Sequence, residues 1–274
     1  MKKLTTLIVA ILFTGGMAIA QSNDATVDQE GDNQVATVTQ SGATNNADVD
    51  QFTNNSGEQE ATVIQDGTGN MATVSQSQTG GGNNGGNDAF IEQIGTGNIS
   101  TQTSIAPQSQ SGQDLWGLQN GTSNVLTQTI SHGYTNSLTA EQSGSGNVAT
   151  QTNSGRHSHG EVYQDGSDNV AEQVLSGSNN GYSFASIIID QFGSENYASQ
   201  DMTGSGSSHS INAEIYQDGI GNDAFQTGNG RSLSSELTQT GNDNWSTQSL
   251  SGQGHGSVVT QTGDMNTSTV TQSN

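Results

Sequence analysis

The sequence predicts an all-β fold: a cross-β solenoid with two short strands per coil and about ten coils of 22–28 residues. Three observations carry that expectation. A Gln–Gly–Asn spacing recurs ten times along the chain. On either side of each Gly–Asn corner, residue character alternates with the period of a strand, not that of a helix. Finally, only 28% of the chain is hydrophobic and 5% aromatic, with 37 Gly, so one unit cannot bury a core alone. Stacked units can, because each covers the inner face of its neighbour.

The first element is an expected signal peptide, residues 1–20. Lys2 and Lys3 precede an apolar run from Leu4 to Met17, and Ala18-Ile19-Ala20 supplies small residues for cleavage. A mature chain starting near Gln21 and spanning 21–274 as one solenoid is expected. No later run approaches the roughly 18 apolar residues of a spanning helix. There is no Cys, hence no disulfide framework, thiol site or lipoprotein anchor. After the leader only Arg156 and Arg231 oppose 26 Asp and Glu. Such an acidic chain lacks the basic footprint that nucleic-acid phosphates require.

The repeat follows. Its anchors are Gln40, Gln65, Gln93, Gln119, Gln142, Gln164, Gln191, Gln217, Gln239 and Gln261, separated by 22 to 28 residues. Two positions after each stands a glycine: Gly42, Gly67, Gly95, Gly121, Gly144, Gly166, Gly193, Gly219, Gly241 and Gly263. Five positions after each stands an asparagine: Asn45, Asn70, Asn98, Asn124, Asn147, Asn169, Asn196, Asn222, Asn244 and Asn266. Position +7 is small in every unit except at Leu126. A second glutamine closes the unit at +11 in Gln51, Gln76 and Gln272, and at +9 in Gln102, Gln128, Gln151, Gln173, Gln200, Gln226 and Gln248. Both offsets share the inward parity, so the amide ladder is expected to step along the strand without leaving the core. Gln29 reads as the head of a degenerate eleventh unit, QEGDNQVATVTQ.

Each unit is therefore expected to be strand, tight Gly-x-x-Asn turn, strand, with Gly and Asn supplying the positive φ that turns need. Before the corner, offsets −4, −2 and 0 face inward. The −2 column runs Val38, Val63, Ile91, Gly117, Ala140, Val162, Ile189, Ile215, Leu237, Val259. A buried amide left unpaired costs on the order of 1–3 kcal/mol. Identical amides ~4.8 Å apart in successive coils can pair with one another, which is a reason to repeat the glutamine. Ten coils at that spacing extend ~48 Å. Outward acids mostly avoid consecutive coils in the −1 and +1 columns, whereas Glu214 and Glu236 meet in the −3 column.

The pattern Q-x-G-x-x-N-x-A-x-x-x-Q, complete in Gln65–Gln76 and Gln40–Gln51, resembles the curlin repeat of curli fibre subunits, the bacterial functional amyloids. The resemblance covers essentially the whole chain after residue 20. It implies a secreted subunit that polymerises with copies of itself, end to end, into extracellular fibres for biofilm matrix, adhesion and aggregation. It also implies curli-type secretion and chaperone partners and a nucleator or major-subunit homologue. Two departures stand out. The serine that curlin repeats place six before the first Gln is matched only by Ser158, and in place of a Gly/Asn-rich tail after the leader the repeats begin almost at once, the only comparable stretch being Ser77–Asp88. The last coil, ending TSTVTQSN, carries no cap, so open strand edges that join top to bottom are expected.

No enzyme, metal or cofactor signature competes with this reading. His132, His157, His159, His209 and His255 fall in or beside inter-coil loops, and His157-x-His159 has no third fixed ligand. No G-x-S-x-G elbow supports a nucleophilic triad. Phe90, Trp116, Tyr163, Phe192, Tyr197, Tyr216, Phe225 and Trp245 take outward offsets, as do the threonine pairs Thr37/Thr39, Thr101/Thr103, Thr127/Thr129 and Thr150/Thr152. These two sets define the alternative: a monomeric β-solenoid adhesin, or one that binds glycan or ice.

Overall fold

The computed structural model describes residues 8–14 (backbone only), 22–54, 58–79, 86–106, 112–132, 135–177, 184–204 and 210–274. His209, Pro107 and the middle of the Ser77–Asp88 loop lie outside the described residues. Two parallel sheets of eleven strands each face one another, and the chain alternates between them. The first sheet runs from Gln34–Ala43 and Gln59–Thr68 through to Gly256–Thr262. The second runs from Asp24–Glu30 and Asn46–Thr53 through to Thr267–Ser273. No helix occurs among the described residues. The protein is a β-solenoid, and every anchor glutamine of the first sheet pairs in register with the next, from Gln40↔Gln65 to Gln239↔Gln261.

Register follows from parity. A slip by one residue would turn every inward side chain to solvent, so the alternation of Gln59–Thr68, inward at Gln59, Ala61, Val63 and Gln65, fixes the pairing. The loops joining coils vary in length without consequence, because pairing restarts at the same inward columns. Ile8–Thr14, inside the expected leader, takes the remaining edge of the first sheet, from Ile8↔Val35 to Thr14↔Ser41. An apolar run beside an open strand edge finds unpaired N–H and C=O groups there.

The corner corrects one expectation. The repeat glycines do take positive φ, 130° at Gly67 for example, but the asparagines do not. The second positive φ falls on the residue just before each Asn: Thr44, Gly69, Gly97, Ser123, Gly146, Asp168, Glu195, Gly221, Asp243 and Met265. Gly67 is required for a further reason: a Cβ there would lie 1.9 Å from the carbonyl oxygen of Gly95 in the next coil. Glycine stacks on glycine because the backbones approach too closely for any side chain.

The core between the sheets is thin and complementary. The −2 column contributes mostly branched apolar side chains and the facing +7 column mostly alanine or serine, buried in pairs such as Val63 with Ala72 and Ile189 with Ala198. One coil inverts the arrangement. Gly117 replaces the large residue and Leu126 the small one, and a Cβ on Gly117 would meet Leu126 Cδ2 at 2.5 Å. The +7 exception is thereby explained: volume moves from one sheet to the other at constant total. Overpacking costs about 1–3 kcal/mol, so Gly117→Val alone should lower the unfolding free energy by that much in a denaturant titration. Adding Leu126→Ala should recover most of the loss, and a strictly additive double mutant would refute the cross-core compensation.

Candidate functional site

The anchor glutamines form one unbroken ladder. From Gln40 to Gln261 each Nε2 donates to the Oε1 of the glutamine in the next coil at 2.8–2.9 Å. The same amide gives its second proton across the core to a backbone carbonyl of the other sheet, as Gln65 does to Asn46 and Gln191 to Val170. Each ladder amide thus ties two coils and two sheets together. These side chains are almost wholly inaccessible to solvent.

The asparagines form a second ladder with the opposite polarity. Asn45 Oδ1 accepts from the backbone N–H of Asn70 at 3.0 Å and from its Nδ2 at 3.2 Å, and the pattern continues to Asn266. Asn70 Nδ2 also donates to the carbonyl of Gly95, at the corner of the next coil. The asparagine is therefore a side-chain staple of the corner, which is why it need not adopt positive φ itself.

The second glutamine of each unit forms a third ladder, in the second sheet, and here the sequence reading needs correction. Gln102, Gln128, Gln151, Gln173, Gln200, Gln226 and Gln248 are continuous at 2.8–3.1 Å. Gln29, Gln51 and Gln76 form a separate short ladder at +11. The two do not connect. Gln102 pairs in register with Val74, and Gln76 with Ser104. Gln76 Nε2 donates instead to the carbonyl of Asn87, while Gln102 Oε1 has no partner. Gln272 likewise faces Leu250, and Gln248 faces Val270. A change of offset keeps the face but interrupts the ladder, since a primary amide reaches its equivalent in the same column, not one two residues along.

Gln29 is also reassigned. It does not head a unit but closes one, in register with Gln51. Sequence reasoning missed Asn23, which occupies the Asn position of that half coil: its Oδ1 accepts from the N–H of Asn45 and its Nδ2 donates to the carbonyl of Gly42. It also missed an inward amide column at −6, where Gln34 donates to Gln59 at 3.1 Å. Inward parity, extended one step beyond the repeat, was the available signal for both.

Outside, the aromatic residues gather in three groups. Phe90 and Trp116 stack at 5.8 Å, and Tyr163, Phe192 and Tyr216 form a ladder on the first sheet at 5.4 and 5.5 Å. Tyr197, Phe225 and Trp245 form another on the second sheet. Thr73, Thr101, Thr127 and Thr150 align in one column beside Ser75, Thr103, Thr129 and Thr152. Thr37 and Thr39 belong to the other sheet and are not part of that array. Ser137 Oγ, His159 and Glu161 are linked at 2.6 Å each. They lie on an open sheet face whose N–H groups are engaged in strand pairing, so no oxyanion donors converge on them. No cluster of three or more metal-ligating side chains occurs among the described residues.

Parallel sheet, short coil and inward amide ladders together define a β-solenoid repeat protein. The profile of the curlin associated repeat matches residues 20–52. No curated protein matches it.

Two predictions follow from the ladder and the charges around it. Replacing Gln191 and Gln217 by Leu leaves one Nε2 proton of Gln164 and the Oε1 of Gln239 without a partner, each at about 1–3 kcal/mol. Replacing outward Tyr163 and Tyr216 by Ser removes two ring contacts with Phe192, each worth about 0.5–1.5 kcal/mol. The glutamine pair should therefore lower the denaturation midpoint more; the reverse order would reject the inward-amide account. The second concerns pH. Strand pairing stacks Glu60, Asp88 and Asp114 in consecutive coils, a column of like charge in which the acid avoidance seen at −1 and +1 fails. Burial raises the pKa of Asp88, aided by Glu58, and that of Asp114, aided by Asp88. Burial likewise raises Asp190, with Glu214 and Glu161 adding to it. An acid whose folded pKa is raised contributes most below its ordinary value of 3.8 and loses that contribution as pH climbs through the folded value. The thermal midpoint should thus fall as pH rises above the ordinary carboxylate value of 3.8, and Asp88→Asn with Asp114→Asn should flatten the fall.

Proposed function

We propose that this chain is a secreted structural subunit that self-assembles end to end into extracellular amyloid fibres of the curli type, serving biofilm matrix, adhesion and aggregation. The observation that carries the reading is the amide ladder, which runs unbroken in one direction from Gln40 to Gln261. A ladder of that kind is extended by any further coil of the same sequence. The curlin associated repeat at residues 20–52 supports the same class of assembly. Its acidic exterior limits lateral sticking while the edges remain available for pairing. Within this reading residues 1–20 direct export and are removed, the turn glycines keep the coils in contact, and no catalytic, metal or cofactor site is needed. A nucleator or major-subunit homologue and dedicated secretion and chaperone proteins complete the assembly.

The four-coil threonine array supports the alternative of a monomeric ligand-binding solenoid, because regularly spaced hydroxyls on a flat sheet suit an ordered water or sugar surface. Purified residues 21–274, incubated at neutral pH, should develop thioflavin fluorescence and a cross-β diffraction pattern with spacings near ~4.7 and ~10 Å. A persistent soluble monomer that inhibits ice recrystallisation or binds glycan would reject the fibre in favour of the alternative.

A further inference from the structure

The two ends of the second sheet differ from its middle, and they match each other. At +9 and +11 the first coils carry Val27/Gln29, Val49/Gln51 and Val74/Gln76, while seven middle coils carry Gln at +9. The final strand reverts to the pattern of the first, with Val270 at +9 and Gln272 at +11. That reversion breaks the ladder inside the chain: Gln248 loses a glutamine partner and donates to Ser257 Oγ instead. At the other end, Gln29 Oε1 is buried and has no partner. Ala25 and Val27 are only partly covered at one end, as is Val270 at the other.

Resting on the fibre reading above, we infer that Thr267–Ser273 of one copy pairs in parallel with Asp24–Glu30 of the next, in the register Val270↔Val27 and Gln272↔Gln29. Every inward position then meets its like or a small neighbour: Asn266 on Asn23, Ser268 on Ala25, Val270 on Val27, Gln272 on Gln29. Gln272 Nε2 donates to the orphaned Gln29 Oε1, restoring the ladder that the last coil gave up. Asn266 Oδ1 accepts from Asn23 as each earlier asparagine does from its successor. The two ladders run with opposite polarity, so only a head-to-tail contact satisfies both at once. Charge agrees. Asp24, Asp28 and Glu30 face Thr267, Thr271 and Ser273, none of them charged, whereas two first strands brought together would juxtapose acids.

The register has a geometric consequence. Because Asp24–Glu30 and Thr267–Ser273 both belong to the second sheet, that sheet closes across the junction while the first does not. The flanking strands Gly256–Thr262 and Gln34–Ala43 are left two strand spacings apart. The intervening place is the one that Ile8–Thr14 holds in the structure, and the second-sheet contact is the same with or without it. Each chain then adds eleven strand spacings, ~53 Å, to the fibre. Closing the first sheet instead would displace Asp24–Glu30 and add ten, ~48 Å.

The chain has no cysteine, so introduced pairs report cleanly. Thr26→Cys with Thr269→Cys places the two thiols in one outward column across the junction. On mild oxidation of preformed fibres this variant should give a ladder of covalent multimers. Thr26→Cys with Thr271→Cys, slipped by two residues, should cross-link roughly tenfold less, because Cα atoms more than about 7 Å apart are not bridged. Fibres that cross-link better through the slipped pair, or through Thr26→Cys alone, overturn the register while leaving the fibre reading intact. Helical reconstruction of unmodified fibres is the second measurement: a repeat of ~53 Å supports the junction and ~48 Å rejects it. Absence of any fibre removes the fibre reading and this junction together.

Discussion

Everything in this molecule depends on one constraint: a primary amide buried between two sheets must find a hydrogen-bond partner, and an identical amide one strand spacing away supplies it in nearly every coil. Water is excluded, and an unmatched amide costs more than a single hydrogen bond returns. Repetition meets that demand, since the glutamine of one coil supplies both the donor for the next and the acceptor for the last. Nine such steps in the first sheet hold the coils in register, and the second proton of each amide locks the sheets to each other. Hydrophobic burial alone would not give this specificity, because Val, Ile and Leu exchange freely in the −2 column while the glutamine beside them does not vary.

Glycine and asparagine play the supporting parts. The corner brings backbones so close that a Cβ on one glycine would overlap the carbonyl of the next, so the glycine column is as strict as the glutamine column. The asparagine closes the same corner with its side chain and carries a ladder that runs the other way. Two ladders of opposite polarity give the solenoid a direction. A structure built so has two chemically different ends, one offering glutamine protons and the other glutamine oxygens.

Much of this was legible from residue parity. The anchor glutamines, the corner glycines and the asparagines at +5 all stand where an inward face and a tight turn require them, and so do the outward aromatics. The errors share a cause. Reading face without column allowed the second glutamine to move from +11 to +9 unnoticed, though Gln76 and Gln102 then lose contact. The same neglect placed Thr37 and Thr39 in an array that lies on the opposite sheet, and made Gln29 the head of a unit it closes. Asn was credited with a backbone conformation that its preceding residue adopts.

The sequence by itself determined the period, the inward face and the chemistry of the core, because these follow from local alternation and from residue types repeated at fixed offsets. Only the tertiary structure decided which amides actually meet, how Gly117 and Leu126 exchange volume, and which edge strands are left open. The amide pairings relate residues 22 to 28 positions apart, set by lateral pairing across ~4.8 Å, while Gly117 and Leu126 meet across the core from opposite sheets; alternation along one strand reveals neither neighbour.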